Sequence, residues 1–113
     1  MSKRDSKLYL TDIKESIERI EEYTKDTLFG DFAKDLKTID AVVRNLSIIG
    51  EAVKNIPDDM KTAYAEVAWH EIMGMRNKVV HEYFSVDEEI LWKTIQVDLS
   101  LFKKQIQEIL DNQ

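Results

Sequence analysis

The chain contains no cysteine, a single proline and three isolated glycines in 113 residues. Without cysteine there is no disulfide framework, thiolate metal site or cysteine nucleophile, and a reducing cytoplasm is the expected setting. So little proline and glycine favours a few long helices over many short strands. The glycines stand apart at 30, 50 and 74, so no glycine-rich phosphate loop exists. The opening MSKRDSKLYLTDIKESIERI carries a charge every few positions and reads as neither signal peptide nor membrane span. Excess positive charge is missing too. Sixteen Lys and Arg face 22 Asp and Glu, a net −6, which argues against holding nucleic acid by bulk electrostatics. Locally the balance differs, because in residues 69–84 Glu71 and Glu82 are cancelled by Arg76 and Lys78.

What is present suits one folded domain spanning 1–113. Hydrophobic residues make up 43% and charged residues 34%, the balance of a soluble globular chain with one modest core. Leu10, Ile13, Ile17 and Ile20, with Leu28 as a continuation, predict an amphipathic helix over 6–27. Gly30 is its expected exit and Asp31 the next cap. Leu36, Ile39, Val43, Leu46, Ile49 and Val53 predict a second helix over 32–55, broken by Pro57 with Asp58 as a new cap. Shorter helices are expected at 59–67 and 69–83. Ser85 with Glu88 resembles a capping box, and Leu91 or Trp92, Ile95, Leu99, Phe102, Ile106 and Ile109 mark a long last helix. The fold class is therefore all-α: an up-and-down bundle of four to five helices.

Chemistry has few places to reside. His70 and His81 are roughly 16 Å apart along a helix, too far to share an ion. Asp87, Glu88 and Glu89 are explained by the positive end of a helix. There remains MRNKVVHEYF at 75–84, with Arg76, Asn77, His81 and Tyr83. On a regular helix Arg76 and Tyr83 share one face and Asn77 and His81 another, leaving Arg76 and His81 about 140° apart. They converge if the helix bends or a second copy packs beside it, and Gly74 would let another backbone approach. A histidine can move the proton of a ribose 2′-hydroxyl, and an arginine fork can hold the phosphate as charge builds, with no metal or cofactor required. Asn77 can orient the histidine or donate to a phosphate oxygen. Residue types alone favour ordinary surface or partly satisfied core roles for these residues, and packing roles for Tyr83 and Trp69. Glu51, in the apolar run IIGEAV with Arg44 two turns before it, reads either as a brace for Arg76 or as a solvated helix residue.

The Arg-x4-His-x-Tyr pattern in GMRNKVVHEYF resembles the signature of the HepT-like ribonucleases of the HEPN superfamily. RNLSIIGEAVKNIP at 44–57 and AWHEIMGMRNKVVHEYFSVDEEILWKTI at 68–95 resemble two further family blocks. The resemblance implies a homodimer whose motif helices meet at a cleft, with Arg76 and His81 in metal-independent RNA cleavage and Asn77 assisting. It also implies a toxin paired with a minimal nucleotidyltransferase antitoxin of the MNT type, which transfers AMP to the motif tyrosine, here Tyr83. A bulky anion two residues from His81 would compete with RNA phosphate. The alternative is a non-catalytic acidic helical dimer that binds a nucleotidyltransferase or another protein.

Overall fold

Asp5 starts the first helix, its carboxylate accepting the Lys7 N–H at 2.9 Å. The computed structural model describes residues 5–81 and 85–113. Helix α1 (Ser6–Thr24) turns Leu10, Ile13, Ile17 and Ile20 inward, each fully buried. Burial of each such side chain contributes about 1.5–3 kcal/mol. The chain then turns through Asp26, whose φ of 56° lies in the left-handed region that aspartate tolerates.

The next helix starts later than the sequence suggested. Asp31 lies within a single turn, α2 (Phe29–Phe32), rather than capping α3. That turn buries Phe32 against the Trp92 ring at 4.9 Å. The cap of α3 (Leu36–Lys54) is Asp35, whose carboxylate accepts the Thr38 N–H at 3.1 Å and the Thr38 hydroxyl at 2.6 Å. Leu28 and Leu36, both assigned to apolar stripes, are 75% and 70% exposed. Pro57 does interrupt the helix, but it occupies the cap itself, and Asp58 begins α4 (Asp58–Ala63).

The expected helix over 69–83 is not continuous. It divides into α5 (Trp69–Met73) and α6 (Met75–Val79), with Gly74 between them. Val80 is extended and pairs antiparallel with Val86. The last helix begins with α7 (Glu88–Lys93), capped by Asp87 rather than Ser85: the Asp87 carboxylate accepts the Ile90 N–H at 3.0 Å. A π-helical turn over Thr94–Asp98 leads into α8 (Leu99–Asp111). Leu91, Ile95, Leu99, Phe102, Ile106 and Ile109 are buried along it, as the stripe required.

The fold is all-α; among the described residues the Val80–Val86 bridge is the one β pairing. Helices α1 and α3 pack most extensively on each other, and α8 closes over α1. The other face of α3 receives α5 and α6, which places the motif segment against the middle of that helix.

Candidate active site

The contact between α3 and α5 is close because Gly50 lacks a side chain. A Cβ there would lie 3.1 Å from the Met73 carbonyl oxygen. Within the subunit the tight backbone approach is at Gly50, whereas a Cβ at Gly74 would make only ordinary contacts with the His70 and Glu71 carbonyls. Beside this junction α3 and α5–α6 enclose a shallow cleft of about 280 Å³, lined by Ser47, Glu51, Lys54, Met73, Arg76 and Asn77.

Arg76 is half-buried on α6 and donates from Nη1 to Asn77 Oδ1 at 3.2 Å. Glu51 faces the same cleft, yet no ion pair joins it to Arg76, so the expected brace is not formed in a single subunit. Among the described residues no carboxylate pairs with Arg76. Its fork is therefore open to an anion, and the Asn77 amide nitrogen keeps both donors.

His81 is presented differently. It lies beyond α6, so the helical-face relation expected between it and Asn77 does not hold. Its N–H donates to the Ser85 carbonyl at 2.8 Å, and the Asp87 N–H donates to the Val79 carbonyl at 2.8 Å. These bonds fix the backbone of the loop's ends, while the His81 side chain is exposed and stands outside the Arg76 cleft. Tyr83 lies outside the described residues. Within one subunit, then, Arg76, Asn77 and Glu51 share a cleft and His81 does not. Ser47 and Lys54, which sequence reasoning passed over, line it too. Their spacing from Glu51, four residues before and three after, was the signal that could have found them. Among the described residues no three His, Asp or Glu side chains gather as a metal site, and no helix is long and apolar enough to cross a membrane.

A family model described as ribonuclease HepT-like matches residues 13–109. The chain belongs to this family. Similar curated proteins agree with that placement. The "Probable ribonuclease HepT" of Thermococcus cleftensis is 49% identical over 107 residues, covering 95% of this chain and 97% of its own. The "Putative RNase TTE0752" of Caldanaerobacter subterraneus subsp. tengcongensis is 44% identical over 105 residues, covering 93% of this chain and 94% of its own. No solved structure matches the chain. The HepT-like match runs from within α1 to within α8, so the Arg76 cleft and the His81 loop both fall inside it.

Proposed function

We propose that this HepT-like protein is a cytoplasmic endoribonuclease that cleaves RNA without a metal ion, at a site completed by a second copy of the chain. The observation that carries the reading is an arginine fork, Arg76, with no carboxylate partner among the described residues, in an open cleft beside Asn77 in a chain of a ribonuclease family. That His81 stands outside this cleft within its own subunit supports a site assembled from two subunits.

In this mechanism the His81 imidazole takes the proton of a ribose 2′-hydroxyl. The 2′-oxygen attacks the adjacent phosphorus, forming the new P–O bond. Arg76 holds the non-bridging oxygens as negative charge builds, with Asn77 donating beside it. The P–O5′ bond breaks and the leaving oxygen receives a proton from imidazolium. The products are a 2′,3′-cyclic phosphate and a 5′-hydroxyl. Glu51, on the neighbouring helix, orients Arg76 once the two subunits enclose substrate. In the cell the enzyme acts as the toxin of a toxin–antitoxin pair, silenced by a nucleotidyltransferase that adds AMP to Tyr83.

The test is cleavage of RNA by purified protein. His81→Ala and Arg76→Ala should each reduce turnover by at least about 100-fold while the fold is retained. A single 2′-deoxy substitution at the cleaved linkage should abolish cutting there. Cleavage that survives in His81→Ala, or at the 2′-deoxy linkage, contradicts the mechanism. The net charge of −6 favours a second reading, a binding module with no turnover. That reading is adopted if wild-type protein cuts no RNA at any salt concentration yet still forms a complex with a nucleotidyltransferase.

A further inference from the structure

A second concavity adjoins the Arg76 cleft. It lies along the seam between α1 and α3, has a volume of about 360 Å³ and shares two wall residues, Ser47 and Glu51, with the first. That size falls at the lower end of ligand-accepting clefts, roughly 300–1,000 Å³. Tyr9, Ile48 and Ala52 form its apolar part, and Arg44, Asp12 and Glu51 its charged part. Arg44 is exposed and forms no hydrogen bond or ion pair among the described residues. Arg44 and Glu51 are seven residues apart on α3, about 10 Å of helix rise, and they project from nearly the same face.

We infer that this α1–α3 groove is a nucleotide subsite of the same enzyme: it takes a base one nucleotide beyond the pair flanking the scissile linkage onto Tyr9, while Arg44 holds that nucleotide's phosphate. The inference rests on the nuclease reading above and names how its substrate is held. The shared wall is the decisive feature, because it gives a strand lying over Arg76 a continuous path past Ser47 and Glu51 into the groove. An aromatic ring with apolar neighbours accepts any base by stacking, and an unpaired guanidinium beside it accepts a phosphate. Both contacts are independent of sequence, so the groove provides affinity and register rather than choice of base.

The experiment compares RNA substrates of two lengths, a dinucleoside monophosphate and a tetranucleotide, in wild type, Arg44→Ala, Arg44→Lys and Tyr9→Leu. Arg44→Ala should raise KM for the tetranucleotide about tenfold, with little change in kcat. It should also flatten the dependence of log affinity on log salt by about 0.7. Arg44→Lys should keep the salt slope. Tyr9→Leu, which preserves apolar packing, should raise the same KM roughly fivefold or more and leave the salt slope alone. The dinucleoside monophosphate, too short to reach the groove, should show no KM change in any variant. Thermal melting and sedimentation are measured alongside. An unchanged tetranucleotide KM and salt slope in Arg44→Ala overturns the subsite. So does a loss explained by dissociation of the dimer, which would make the groove an interface between copies. If wild type cuts no RNA, the nuclease reading fails by itself. The subsite is then judged by fluorescence anisotropy with a 2′-deoxy-substituted oligonucleotide, where the same slope change supports it and equal binding overturns it.

Discussion

The α1–α3 seam and the segment from Trp69 to Asp87 are built by opposite means. The seam joins two regular helices of 19 residues each, with long, mostly apolar buried stripes and side-chain caps at Asp5 and Asp35. The Trp69–Asp87 segment has two five-residue helices, neither with a side-chain cap, and one isolated β pairing. Its inward anchors Trp69, Ile72, Met75, Val79 and Val80 are nevertheless buried. Helices of this length have almost no stability of their own. The segment therefore holds its shape by packing on α3, and packing leaves it free to present Arg76 and His81 from different backbone conformations. A rigid scaffold beside an irregular presenting segment is how reactive groups reach geometries that one straight helix denies them.

Truncation of the seam should have the larger effect on stability. Leu46→Ala, at a fully buried position of α3, should cost about 2–5 kcal/mol. Denaturant unfolding should show a lower midpoint with unchanged slope. Gly50→Ala joins the two regions. It gains helix propensity, but its methyl must displace the Met73 carbonyl, 3.1 Å away. The net expectation is a loss of about 1 kcal/mol, since overpacking typically costs 1–3 kcal/mol and outweighs the propensity gain of up to about 1. RNA turnover should fall with it, because α5 carries the chain into Arg76. Equal or greater stability with full activity would show that the two regions are not tightly joined there.

Asp87→Ala removes the cap that starts α7 and should cost about 1 kcal/mol. Hydrogen exchange should quicken at the His81 amide, whose bond to Ser85 lies inside the same loop, and stay unchanged in α1. Uniform change across the molecule would contradict the division into scaffold and presenting segment. The smallest effect concerns Asp35. The Thr38 hydroxyl and N–H, then Lys37, hold its pKa below the ordinary 3.8 despite a small opposing cost of burial. A carboxylate with a lowered folded pKa stabilises the fold above its unfolded value, and that contribution disappears as pH falls through the lowered pKa. In Thr38→Val the Asp35 carboxyl should titrate at higher pH by NMR, and the acid limb of the stability curve should become slightly less steep.

The long helices were legible because their stripes are regular: Leu10 to Ile20 in α1, Ile39, Leu46, Ile49 and Val53 in α3 and Leu91 to Ile109 at the end are buried as the periodicity requires, although α3 buries Val42 where Val43 was expected. The presenting segment was not. Ile72, Met75 and Val79 keep helical spacing straight across Gly74, so the pattern conceals the break between α5 and α6. The adjacent buried pair Val79 and Val80 was the local sign of a change to extended backbone. Cap choice failed where two candidates lay close together, Asp31 against Asp35 and Ser85 against Asp87, because distant packing of Phe32 on Trp92 and pairing of Val80 with Val86 decided between them. At the site, Arg76, Asn77 and Glu51 line one cleft between facing helices, and of the two readings of Glu51 the brace to Arg76 is not formed in a single subunit. The sequence placed His81 on a helix that ends two residues before it.

The central claim is that guanidinium and imidazole from two copies of the chain act on one phosphate, and subunit mixing tests it most directly. Arg76→Ala and His81→Ala proteins, each inactive alone, are dissociated, combined and reassembled, with mixed dimers verified by native mass spectrometry. The composite site predicts that mixed dimers regain RNA cleavage, because one intact arginine and one intact histidine meet in a shared cleft. Mixed dimers that form fully and stay as inactive as their parents would contradict it.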